Sequence, residues 1–469
     1  MKFTRYFLTL VLFVFVTGCD TTSPITAPNS APDASATRSA LSSGPVAKAA
    51  QDAERYLVLL KGNKMDRFTD AVTDAGGTVI YAHDKAGFAY VDGLSDAVAT
   101  DLGARSEVAE MTADASFALD LPTDTKTAEA SIQSPEDPAG AFFYPRQWHF
   151  PAIDADRAWA AGVLGSEDVT VAILDTGIDY ENLDLAGRVD LDRSISFLPE
   201  EDDLVRTFFP NKNLITDLQF HGTHVAATVV SNGFVGAGLT SKTTLMGIKT
   251  CRVDRSCSFG AIISGVLYAA DNGADVANLS LGGFFTKAGN GRFVGFINKV
   301  FNYARSKQMT VVVSAGNSAT DLDADGNSYK TFCDTPNTIC ISATGPTGSE
   351  TVNGPFVEVD APAPYTNFGR SAINVAAPGG SALPVWATCS QTSLVIPVCQ
   401  TGNFILGLSG TSMAAPHVSG LAALLVAEYG RKPGRIKTAI QQGADDLGQR
   451  GTDKFYGKGR INVASTLGL

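Results

Sequence analysis

The sequence predicts an α/β protein in which a mostly parallel sheet carries helices on both faces, preceded by a small α+β domain. Three observations lead there. The chain has 469 residues, too many for one core, since cores stop growing near about 300 residues. From residue 146 onward, continuous apolar runs of strand length alternate with helical stretches, the pattern of strands buried on both sides. Ahead of them, residues 53–120 mix short strand-like and helix-like runs at the spacing of a compact α+β unit.

Composition narrows the class. With 44% hydrophobic and 18% charged residues the chain is globular, and its 46 Gly and 21 Pro imply many turns. A formal net charge of −12 without a Lys/Arg cluster excludes nucleic acid as a natural partner.

Along the chain, Lys2 and Arg5 precede an apolar run from Phe7 to Val16 that is too short to cross a bilayer. This reads as a secretory signal over residues 1–18, so the protein is expected to be exported. Val16-Thr17-Gly18-Cys19 resembles a bacterial lipobox, which implies lipidation of Cys19 and a membrane anchor in the cell envelope. Residues 19–52 are rich in Ala, Ser, Thr and Pro and are expected to be a flexible tether.

The small domain begins with the apolar strand Tyr56 to Leu60. A helix ending at Gly76-Gly77, strands Thr78 to Tyr81 and Gly87 to Val91, and a helix from Ser95 to Leu102 follow, and Val108 to Phe117 closes the sheet. Residues 121–145, with Pro122, Pro135 and Pro138, read as a linker open to proteolysis. In the second domain, 146–469, strands are expected at Val169 to Leu174, Thr244 to Lys249, Val276 to Leu281 and Thr310 to Val313. Helices are expected from His221, from Phe259 to Asn272, from Phe293 to Lys307, and from Thr411 to Tyr429 with Gly430 closing the last.

Setting Cys19 aside, six cysteines remain as three close couples: Cys251 and Cys257, Cys333 and Cys340, Cys389 and Cys399. Disulfides between near neighbours are the simplest pairing in an exported chain. A zinc site lacks both a nearby His and a C-x-x-C spacing.

Three blocks carry chemistry. Asp175-Thr176-Gly177 follows an apolar strand, where ligands gather in α/β sheets, although Asp before Gly is also an ordinary turn signal. His221-Gly222-Thr223-His224 opens a helix and holds two of the five histidines; His221 supplies a base near neutral pH, whereas His224 is expected to be structural. Gly410-Thr411-Ser412-Met413-Ala414 places a Ser at a helix start, where free N–H groups favour developing negative charge, although Ser is also a common cap. The order Asp, His, Ser distinguishes one of the convergent serine-hydrolase lineages from the others.

With Ser280-Leu281-Gly282-Gly283 and Ser314-Ala315-Gly316-Asn317, these blocks resemble the subtilisin-like serine proteases over nearly the whole second domain. The resemblance implies a serine endopeptidase with Ser412 as nucleophile, His221 as general base and Asp175 as the group orienting it. It also implies Asn317 as oxyanion donor, Ser280, Leu281 and Gly282 as a strand for substrate, and Ala315 and Gly316 as the wall of the primary specificity pocket. Ala227 departs from the Gly usual after the His block. Residues 53–120 resemble the inhibitor-type propeptide of such enzymes, which implies a self-inhibited zymogen cut between Asp120 and Tyr144.

No cofactor is expected beyond a structural calcium ion, for which Asp321, Asp323 and Asp325 are candidates; the complete EF-hand pattern fails because Phe332 stands where its Glu belongs. Protein or peptide substrates, the chain's own propeptide and a monomeric state are the expected partners and assembly. The alternative function is a lipid-tethered binding module on an inactive protease scaffold. It would be favoured by loss of a catalytic residue, and none is lost.

Overall fold

The computed structural model describes residues 55–469 apart from 63, 120, 122–124, 133–136, 325 and 331. The expected signal segment, Cys19 and the tether up to residue 52 lie outside the described residues.

A seven-stranded sheet forms the frame, in the order Val375–Pro378, Thr338–Thr344, Thr310–Ser314, Val276–Leu279, Thr170–Asp175, Thr244–Lys249, Ile195–Ser196. Every neighbouring pair in it is parallel. Side-chain alternation assigns residues to two cores. Val171 and Ile173 face the helices Thr411–Tyr429 and His221–Val229, whereas Ala172 and Leu174 face Phe259–Asp271 and Gly291–Ser306. This is the α/β architecture that the apolar runs announce. Strands Thr338–Thr344 and Val375–Pro378 add to those expected; the second is four residues long and ends in Pro, too little to stand out against its loops.

Residues 56–113 form a four-stranded antiparallel sheet, order Thr78–His83, Phe88–Asp92, Tyr56–Leu60, Val108–Ala113, with helices Met65–Asp74 and Asp96–Gly103 in a β-α-β-β-α-β sequence. One face is covered by its own helices through Tyr56, Val58, Ala89 and Val91. The other face belongs to the core of the larger body: Leu57, Phe88 and Tyr90 are buried among side chains of Phe259–Asp271 and Gly291–Ser306. Phe88 stacks on Phe296 at 5.3 Å, and Tyr90 lies so close to Gly260 that a Cβ there would overlap its ring. Polar contacts frame this apolar centre. Arg55 bridges Asp92 at 3.1 Å and Glu200, Arg252 also pairs with Glu200, and Lys299 Nζ donates to the Ala86 carbonyl at 2.7 Å.

The strand expected from Val108 to Phe117 is instead two. Val108–Ala113 ends at Asp114, and Ser116–Ala118 pairs antiparallel with Ser256–Ser258 of the larger body. Asp114 makes the break. Its buried carboxylate accepts from Ser258 Oγ at 2.6 Å, Tyr90 OH at 3.0 Å and the Gly260 N–H at 2.9 Å. The last of these lies at the N-terminus of the Phe259–Asp271 helix, where a carboxylate is favoured. Burial nonetheless raises the Asp114 pKa above its ordinary value.

Within the stretch expected to be a linker, Lys126–Glu129 pairs with Phe404–Leu408, adding an edge to a three-stranded sheet. Disulfides join Cys251 to Cys257, Cys333 to Cys340 and Cys389 to Cys399, each couple of near neighbours. Among the described residues no helix is long and apolar enough to cross a membrane.

Burial opposes ionisation of Glu200, but Arg55 and Arg252 outweigh it and hold the carboxyl at about 2 instead of 4.5. A depressed carboxylate pKa adds stability above the unfolded value, and this is lost as pH falls through the folded one. Glu200→Gln should therefore lower the melting temperature at pH 7. The gap from wild type should close as pH drops from about 4.5 towards 2 in parallel thermal melts.

Candidate active site

Asp175 is the last residue of its strand, and His221 is the first of the His221–Val229 helix. Two glycines let these ends meet. A Cβ on Gly222 would overlap the Gly177 carbonyl oxygen, and one on Gly177, at φ +119, would overlap the carbonyl of Ile215. The contact brings His221 Nδ1 to 2.7 Å from Asp175 Oδ1, both side chains fully buried. A carboxylate only accepts, so Nδ1 carries the proton and Nε2 presents its lone pair. His221 Nε2 is buried and has no hydrogen-bond partner among the described residues. Such an orphan acceptor is costly in a folded core and is typical of groups kept for chemistry.

Asp217, which no motif singled out, ties the two blocks together. Its Oδ1 accepts from Thr176 Oγ1 at 2.9 Å and Gln219 N at 3.0 Å, and its Oδ2 accepts from Thr223 N at 2.9 Å and Thr223 Oγ1 at 2.6 Å. Thr176 Oγ1 in turn accepts from Gly222 N at 2.9 Å. A lone Asp in a loop gives no spacing signal, so only the fold reveals this role.

Ser412 lies in the first turn of the Thr411–Tyr429 helix, where every residue from Thr411 to Val426 is buried. Its Oγ donates to the Ser280 carbonyl at 2.9 Å. Its own carbonyl would ordinarily accept from the N–H four residues on, but that residue is Pro416, which has none. Ser280 Oγ takes the place, donating to the Ser412 carbonyl at 2.7 Å, and a buried relay continues from Asn278 Nδ2 to Ser280 Oγ and from Ser419 Oγ to Asn278 Oδ1. The helix start is thereby pinned to the segment Ser280–Gly283.

Asn317 follows the Thr310–Ser314 strand. Its Oδ1 accepts from both Thr411 N and Thr411 Oγ1 at 2.8 Å, which fixes the amide against the helix start. Ser280, Leu281, Gly282, Gly316, Asn317 and Ser412 all line one cavity of about 370 Å³. Ala315 is fully buried behind Gly316, its carbonyl held by Asn367 Nδ2 at 2.8 Å. The segment entering from the small domain reaches the same place. Ala118 and Leu119 line the cavity, and Leu119 N–H donates to the Arg255 carbonyl at 2.7 Å.

The other candidates stand apart. His224 Nε2 lies 3.1 Å from the Leu406 carbonyl, and burial lowers its pKa to about 3, in keeping with a structural histidine. Asp321 and Asp323 turn their carboxylates to backbone N–H groups, those of Asp323, Ser371 and Ala372, an arrangement that does not fit a cation cage; Asp325 lies outside the described residues. Among the described residues no group of three or more His, Cys, Asp or Glu side chains is placed to hold a metal ion.

Gly222→Ala forces a Cβ against backbone rather than against a movable side chain. It should cost at least about 1–3 kcal/mol and separate His221 from Asp175. The expected readout is a lowered melting temperature with peptide hydrolysis lost well below that point.

A model of the subtilase family matches residues 166–459. Thermitase of Thermoactinomyces vulgaris is 30% identical over 333 residues, covering 70% of this chain and 98% of the relative. Subtilisin DY of Bacillus licheniformis is 30% identical over 316 residues, covering 67% and 95%. Among solved structures, the epidermin leader peptide processing serine protease of Staphylococcus aureus superposes with a TM-score of 0.67 at 20% identity, over 89% of this chain and 98% of that one. At that identity the likeness speaks for the fold. Match to the family model, full-length relatives and shared architecture agree: the chain belongs to the subtilase family and is a serine endopeptidase.

Proposed function

We propose that this endopeptidase works through an acyl-enzyme on Ser412 and is made as an exported, self-inhibited zymogen. The observation that carries the first part is the pair Asp175–His221, which leaves Nε2 without a partner among the described residues, on a helix that packs in the same core as the Ser412 helix. Rotation about the Ser412 Cα–Cβ bond exchanges the Ser280 carbonyl for His221 Nε2. Oγ then attacks the substrate carbonyl carbon while its proton passes to Nε2. The carbonyl oxygen, now negative, is met by the Ser412 N–H and the Asn317 amide, which Thr411 holds in place. His221 returns the proton to the departing amine, and water repeats the sequence on the acyl-enzyme. Ser280, Leu281 and Gly282 accept the substrate backbone as an added strand.

The zymogen reading rests on the path of the small domain. Its sheet docks apolar face first on the larger body, and its C-terminal strand Ser116–Ala118 leads Leu119 into the cavity that Ser412 lines. A segment held there excludes other substrates until it is cut. Lys2, Arg5 and the apolar run to Val16 support export, and Cys19 supports a lipid anchor. The anchor would lie on the propeptide side of the cut, so maturation would release the enzyme from the membrane.

Two measurements test this. Intact mass and N-terminal sequencing of exported wild type and Ser412→Ala should show loss of the first domain in wild type only. Identical trimming of both would overturn self-processing, and catalytic domain still joined to Cys19 after complete processing would overturn release. Asn317→Ala should lower kcat by about 100–1000-fold with KM little changed, a magnitude that comes from subtilisin itself.

A further inference from the structure

The cavity has a floor that no motif reveals. Lys330 ends the strand Ser328–Lys330, which pairs antiparallel with Phe284–Thr286 so that Phe284 lies opposite Lys330. Since Phe284 follows directly on Ser280–Gly283, this pairing carries Lys330 beneath the substrate strand. The side chain is only 3% exposed, and its ammonium lies 4.7 Å from the centre of the Phe284 ring. A Cβ on Gly316, in the opposite wall, would meet Lys330 Nζ at 2.7 Å. Of the described residues lining the cavity, Lys330 is the one with a charged side chain; the others are Ser, Thr, Asn, Gly, Ala, Leu and Phe. Asp334, in the same loop, accepts from the backbone N–H of Lys330 at 2.9 Å and lies 4.0 Å from Lys287 Nζ.

We propose that Lys330 makes this the pocket for an acidic side chain, so that the enzyme cleaves preferentially after Glu or Asp. The inference rests on the peptidase reading and deepens it. A cationic side chain in the lining of the cavity attracts an incoming carboxylate and repels a basic side chain. The chain's own sequence agrees, because the residue that follows Leu119 is the acid Asp120, itself outside the described residues.

The test uses the mature enzyme and peptides that differ only in the residue before the scissile bond: Glu, Asp, Gln, Leu, Phe or Lys. A fluorophosphonate label counts competent Ser412 in each preparation, so that rates are per active molecule. Wild type should favour Glu over Gln by about tenfold or more in kcat/KM. Lys330→Gln should erase that ratio, Lys330→Arg should keep it, and Lys330→Glu should turn the preference towards Lys. Self-processing should leave Leu121 as the new N-terminus. Labelled wild type that prefers Leu, Phe or Lys would overturn the proposal alone, as would a Glu/Gln ratio unchanged in Lys330→Gln. Protein that takes no label and cuts no peptide would overturn the peptidase reading and this proposal with it.

Discussion

The helix Thr411–Tyr429 runs through the protein without a solvent-facing side until its last turn, and the site depends on that burial. A helix buried all round must satisfy its polar ends inside the protein, because water cannot reach them. At this one the satisfaction is specific. Asn317 takes the Thr411 N–H, and Ser280 takes the carbonyl that Pro416 cannot serve. The groups proposed to bind the oxyanion and the substrate backbone are the same groups that terminate the helix. Positioning and folding therefore share one set of hydrogen bonds, and a change that loosens one loosens the other.

The second constraint is close backbone approach. Gly177 and Gly222 remove the atoms that would hold the strand end away from the helix start, and Asp217 bonds to both sides of the junction. His221 is thus oriented twice, by the Asp175 carboxylate and by the backbone from which it springs. The cost of this arrangement is visible in Nε2, a buried polar atom with no hydrogen-bond partner among the described residues.

The small domain meets the larger body in the manner of a core divided between two units. Its docking face contributes Leu57, Phe88 and Tyr90 to a common apolar cluster, with charged contacts through Arg55 and Glu200 at its margin. Asp114 is the turning point. By breaking the strand at Ala113 and binding the helix start at Gly260, it redirects the chain into the cleft. A continuous strand would have carried Leu119 elsewhere. The single misjudged element of the small domain is thus the one that connects its fold to the site.

Many of the strands and helices of both units were legible in the sequence because burial of an element writes itself as a run or stripe of apolar residues. The Thr411–Tyr429 helix and the strand Thr244–Lys249 lie where the pattern places them. The Asp175, His221 and Ser412 blocks were legible because glycines and small residues mark the close approaches their chemistry needs. Asp217, Asp114 and Lys330 were not. Each is a single polar residue in a loop or at a short strand's end, without periodicity, and each has at least one partner well away in sequence: Thr176 for Asp217, Ser258 for Asp114 and Phe284 for Lys330. What the sequence determined by itself was the architecture and the blocks from which the candidate site is built, since both depend on local pattern. What only the tertiary structure decided was which groups hold the blocks in place and which charge lines the cavity, because those follow from the pairing of distant segments such as Phe284 with Lys330.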